Sequence, residues 1–151
     1  MTHLINPNML LLKQSQHPSY KYQIEYLNAP IQHTNQTVQS LINDALRIEG
    51  ASFKTREQYG KYILNIYKLT PLLIYATQDF VLFPTSAKYQ SNYMLINCKQ
   101  ILNIKQHQAQ TKLQFKNGTS TLIALDYHLV SKKMGESLRL VHHQKNHIMR
   151  T

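Results

Sequence analysis

Acidic side chains are scarce in this chain: 7 Asp and Glu stand against 17 Lys and Arg, for a formal charge of +10 and a pI near 9.7. A two-metal hydrolase needs several carboxylates gathered in one cleft, whereas Glu25, Asp44, Glu49, Glu57, Asp79, Asp126 and Glu136 are scattered along the sequence. There is one cysteine, which excludes an internal disulfide framework and fits a reducing compartment. It lies in the apolar context Ile96-Asn97-Cys98 with nothing beside it to lower its pKa, the setting of a buried thiol and not of a nucleophile. Glycine-rich phosphate loops, paired CxxC motifs and a serine elbow are all missing. His143 and His147 stand at the helical spacing that grips a metal, but no third ligand is evident and His128 would have to turn toward them. We therefore expect no catalytic residues, no metal site and no cofactor. No apolar run approaches the roughly 18 residues of a membrane span, and no basic stretch precedes the short patch Met9–Leu12. The expectation is a cytoplasmic protein with no membrane partner.

What is abundant is positive charge, spread along the chain and not confined to one tail. Its natural partner is a polyanion, nucleic acid first, because neutralising phosphates releases condensed counterions and supplies affinity without reading any base. A length of 151 residues suits a single domain over 1–151.

Tyr20, Tyr22, Ile24 and Tyr26 alternate with Lys21, Gln23 and Glu25, the pattern of a half-buried strand. Val38, Leu41, Ile42, Ala45 and Leu46 recur at helical spacing between Thr37 and Gly50, which predicts a helix over about 37–49. The polar stretch from Ala51 to Lys61, bracketed by glycines, reads as a basic loop. Strands are expected at about Tyr62 to Lys68, Leu72 to Tyr75, Phe80 to Phe83, Met94 to Lys105 (interrupted or bent) and Thr111 to Lys116. Pro71 and Pro84 stand where strands end. Asn117-Gly118 signals a type I′ hairpin returning through Thr119 to Leu125. Asp126 can cap a second helix over about 127–142, with Val130, Met134, Leu138 and Val141 inward and Lys132, Lys133 and Arg139 at the surface. The fold class is α+β, mainly antiparallel sheet with β-hairpins.

Phe80-Val81-Leu82-Phe83-Pro84-Thr85, followed by Leu113-Gln114-Phe115-Lys116-Asn117-Gly118-Thr119, resembles the ComK family of competence transcription factors. Upstream, Gly50-Ala51-Ser52-Phe53 with Arg56 is similar to the family's small-residue, aromatic and arginine segment after its first helix. The likeness runs in register over about Asn8 to Leu140. It implies a transcriptional activator that binds AT-rich promoter boxes, largely through the minor groove, as dimers assembled on DNA-uptake genes, and so a nucleoid-associated protein. A narrow A-tract groove attracts arginine, which fits the presence of Arg56. Two places depart from the family pattern: Thr55 and Glu57 flank the arginine in place of glycine and lysine, and Asn92 and Tyr93 replace cysteine and tryptophan. Longer family members also carry a tail read by an adaptor of a Clp protease, a route not carried over to a chain ending at Thr151.

On this reading Lys54, Arg56 and Lys61 face DNA from the loop, with Thr85, Lys88 and Tyr89 beyond a buried Leu82-Phe83-Pro84 strand end, Lys116 beside the hairpin tip and Arg139 on the last helix. The alternative is an RNA or single-strand binder stacking bases on tyrosines such as Tyr20, Tyr22 and Tyr26. A basic nuclease would require Asp44, Asp79 and Asp126 to meet in one cleft.

Overall fold

The computed structural model describes residues 3–87 and 90–150, the last three by backbone alone. Three strands, β1 (Met9–Gln14), β2 (Tyr22–Tyr26) and β3 (Gln32–Thr34), lead into α1 (Val38–Leu46) and α2 (Phe53–Leu64). Next come β4 (Leu72–Tyr75), β5 (Phe80–Pro84) and β6 (Met94–Asn97). A hairpin pair follows, β7 (Ile101–His107), β8 (Gln110–Phe115) and β9 (Ser120–Ile123), before α3 (Tyr127–Arg150). The first six strands form one antiparallel sheet in the order β3-β2-β1-β6-β5-β4, and the last three form a second, β7-β8-β9. The fold class is the expected α+β.

The larger sheet is covered on both faces. Ile42, Ala45 and Leu46 of α1, with Phe53, pack on Ile24, Ile74, Leu82 and Leu95. On the other side Leu113, Phe115 and Ile123 of the small sheet and Val130 of α3 pack on Leu10, Phe83 and Ile96. Two-sided burial explains why Met9–Leu12, a continuous apolar run, is a central strand that alternation could not reveal. A register shift between Met9 and Leu11 turns Leu10 and Leu11 to the same face.

The first helix agrees with its sequence signals. Thr37 caps it by accepting from Ser40 N–H at 3.1 Å, and a 3₁₀ turn over Arg47–Glu49 carries it to Gly50, whose φ of 65° is the left-handed conformation of a helix stop. The segment after it does not. Residues expected as a loop and a strand form α2, closed at its start by a reciprocal cap: Ser52 Oγ accepts from Thr55 N–H at 3.2 Å, and Thr55 Oγ1 from Ser52 N–H at 2.9 Å. Phe53 N–H also donates to Asn43 Oδ1 at 2.7 Å, tying α2 to α1. The helix buries only Phe53, Gly60 and Leu64, too narrow a stripe for periodicity to disclose.

Two further expectations change. The β8–β9 turn is a three-residue loop, Lys116-Asn117-Gly118: Gly118 N–H donates to Phe115 O at 2.9 Å and Phe115 N–H to Thr119 O at 2.8 Å. Gly118 has a φ of 89° while Asn117 is not among the positive-φ residues, so this is a type I turn closed by a glycine bulge and not a type I′ turn. In α3, which begins at the Asp126 cap as expected (Leu129 N–H to Oδ1, 2.9 Å) and runs beyond 142, Leu138 is 64% exposed whereas Lys133 is buried. Lys133 is held by Glu136 at 2.8 Å, which satisfies the charge that solvent would otherwise have to meet.

Candidate nucleic-acid interface

All seven acids are engaged within the chain. Glu25 pairs with Lys13, Asp44 with Arg47, Glu49 with Arg56, Glu57 with Lys61, Asp79 with Lys145 and Glu136 with Lys133, while Asp126 caps α3. The excess of cations is therefore presented outward by lysines and arginines with no acidic partner among the described residues, including Lys54, Lys116 and Arg139. Surplus charge left unneutralised within the fold is what draws a polyanion.

Helix α2 holds the three basic residues expected on a loop, but it treats them differently. Lys54 is exposed and Lys61 half-buried, 3.8 Å from Glu57. Arg56 points back: its side chain is only 13% exposed, it holds Glu49 at 2.5 Å, and its Nε is buried without a partner. The same guanidinium lies close enough to Tyr59 to oppose the rise that burial gives its hydroxyl pKa. Arg56 thus secures α2 to the end of α1, with its Nη2 committed to Glu49.

Two depressions flank this helix. A cleft of about 500 Å³ lies between α2 and the β5–β6 connection, lined by Glu57, Lys61 and Lys68 on one side and Pro84, Ser86 and Ala87 on the other. Thr85 is buried and its Oγ1 donates to Asn92 O at 3.4 Å, so it is a packing residue in this conformation. Lys88 and Tyr89 lie outside the described residues. Between α2 and α3, a groove of about 700 Å³ places Arg139 with Tyr62, His142 and His143. His143 Nδ1 is 2.7 Å from the Tyr59 hydroxyl, a bond that joins the two helices. Lys116 is exposed on the β8–β9 turn, where Asn117 Nδ2 donates to Leu27 O at 3.1 Å and anchors the turn to the larger sheet. Tyr62, Lys68, His142 and His143 were not singled out as contacts in the sequence. Recognising α2 as a helix would have put Tyr62 eight residues after Lys54 on the same face.

Other chemistries find little support in the geometry. Asp44, Asp79 and Asp126 serve Arg47, Lys145 and the α3 cap respectively, and no group of three or more metal-ligating side chains occurs among the described residues. Burial pushes the Cys98 thiol up to about 11, away from thiolate reactivity. Tyr26 is buried, with its hydroxyl raised by burial to about 12, and Tyr22 is half-buried; Tyr20 is 41% exposed, its ring packed beside those of His17 and His33. Among the described residues no helix is long and apolar enough to cross a membrane.

The ComK protein family matches residues 2–147, nearly the whole chain. The chain belongs to the ComK family. That is a family of competence transcription factors and not of enzymes, and membership makes DNA the expected partner of the outward cations. No curated protein and no solved structure gave a match. For a ComK protein the resemblance in the Phe80–Thr85 and Leu113–Thr119 segments has a structural basis. Both are core strands whose ends set a turn, with Phe83 and Phe115 fully buried in the same cluster.

Proposed function

We propose that this ComK protein is a cytoplasmic, nucleoid-associated transcriptional activator whose single DNA-binding domain, spanning 1–151, recognises AT-rich promoter boxes of DNA-uptake genes through the minor groove, as dimers on the DNA. The observation that carries the reading is the internal neutralisation of the acids, which leaves basic groups of α2, α3 and the β8–β9 turn for phosphate. Lys54, Lys116 and Arg139 are the contacts this reading uses, with Lys61 once it releases Glu57, and with Lys88 and Tyr89, which follow Ala87 in sequence. Arg56 joins them by exchanging Glu49 for DNA, and Thr85 supports the β5–β6 connection.

The test is a gel-shift competition among an A-tract duplex, a GC-rich duplex of equal length and a single strand. The A-tract duplex should win. Log K should fall with log salt at about −0.9 per phosphate neutralised, steeply for roughly four to six contacts per protomer. A ligand filling the A·T minor groove should displace the protein, whereas exchange of A·T for I·C pairs should leave binding largely intact. Preference for the single strand would establish the stacking alternative, and loss of binding on I·C exchange would establish major-groove reading.

A further inference from the structure

The small sheet carries a surface that the reading above does not use. On its outer face, Lys105 of β7 stands directly opposite Lys112 of β8, with Asn103 opposite Gln114 and His107 opposite Gln110. Leu113 and Thr111, one residue either side of Lys112, are buried, so Lys112 and its partners face solvent. Like charges placed opposite each other on adjacent strands repel. Nothing nearby in sequence compensates, because no aspartate or glutamate occurs between Asp79 and Asp126. Neither lysine has an acidic partner among the described residues.

The same hairpin also outruns its sheet. β9 pairs with β8 only as far as Thr111, while β7 and β8 continue to the pair His107–Gln110, and every residue from Lys105 to Gln110 is exposed. The hairpin thus extends past β9 by one residue pair and its turn, whose side chains from His107 to Gln110 are amide, imidazole or methyl, with no anion. A ribbon that stacks lysine on lysine at its base and hydrogen-bond donors at its tip matches a row of phosphates.

We infer that the outer face of the β7–β8 ribbon, with Lys105 and Lys112 at its centre, is a phosphate-contacting element for duplex DNA. It sets position and affinity and carries no base readout. This inference rests on the proposed DNA-binding function. Phosphate contacts weaken all sequences alike when removed, which separates this role from base reading.

The experiment is a salt titration of A-tract and GC-rich duplex binding by the full chain and by a Lys105→Gln/Lys112→Gln double variant. The variant should melt no lower than the parent, since a repulsive pair is removed. Its log K against log salt should be shallower by about 1.8, two contacts at about 0.9 each, and both duplexes should weaken by a common factor of order tenfold. In parallel, amine acylation of the unmodified protein should be suppressed by duplex at Lys105 and Lys112. An unchanged slope and unprotected lysines, with the parent still binding duplex, overturn the ribbon's role and leave the proposed function standing. A change confined to the A-tract to GC-rich ratio overturns it as well, assigning the ribbon to base reading. Failure of the parent to bind either duplex removes both.

Discussion

Replacing Gly60 by alanine tests the seat of α2, the helix that carries Lys54, Arg56 and Lys61. A Cβ built on Gly60 would stand 2.7 Å from Thr70 Cγ2 and 2.8 Å from Pro71 O. Thr70 is only 7% exposed and Pro71 O belongs to the backbone, so neither can swing away. Relieving both contacts means moving α2 off the strand that follows, an overpacking cost of about 1–3 kcal/mol. Alanine in mid-helix returns about 1 kcal/mol of propensity, so the net loss should be up to about 2 kcal/mol. Gly135 in α3 is the control, since a Cβ there meets nothing within 4 Å and the same change should stabilise by up to about 1 kcal/mol. In urea unfolding the two midpoints should move in opposite directions, and in melting each kcal/mol corresponds to roughly 2–4 °C for a chain of this size. If Gly60→Ala stabilised the protein as much as Gly135→Ala, α2 would not lie against Thr70 and Pro71 as described.

Arg56→Ala should cost about 1–2 kcal/mol of stability by urea unfolding, between the small worth of an exposed pair and the larger one of a buried pair. Glu49→Gln, which frees the guanidinium, should raise affinity for the A-tract duplex; an unchanged affinity would confine Arg56 to the fold. Gly118→Val forces a β-branched residue to a φ of 89° and should lower stability by about 1–3 kcal/mol, with the folded fraction binding DNA normally; an equally stable variant would contradict the glycine bulge. The thiol of Cys98, raised to about 11, and the hydroxyl of Tyr26, raised to about 12, both favour their neutral forms in the fold. Their contribution is complete below their unfolded pKa values near 9 and 10 and is lost as pH climbs toward 11 and 12. The urea midpoint should therefore decline above about pH 9, and a flat profile from pH 8 to 11 would contradict their burial.

Local chemistry was readable wherever one residue type answers to one backbone demand or one exposed face contrasts with one buried face. Thr37 and Gly50 bound α1, Asp126 starts α3, and the alternation of Tyr22, Ile24 and Tyr26 marks a strand, although its opposite face is covered as well, Gln23 being buried. The two strand-and-turn segments were likewise sufficient to identify the family, for which DNA is the expected partner of the excess positive charge. Tertiary structure decided what depends on a second surface. Met9–Leu12 is a central strand because both its faces are covered. The stretch from Phe53 to Leu64 is a helix because its caps and a glycine pressed on Thr70 hold it where its thin apolar stripe would not. Which cations are available was also beyond the sequence, since ion pairing joins residues by position: Arg56 is held by Glu49 seven residues away and Lys145 by the distant Asp79, while Lys105 and Lys112 are set side by side by strand register with no acid to meet them.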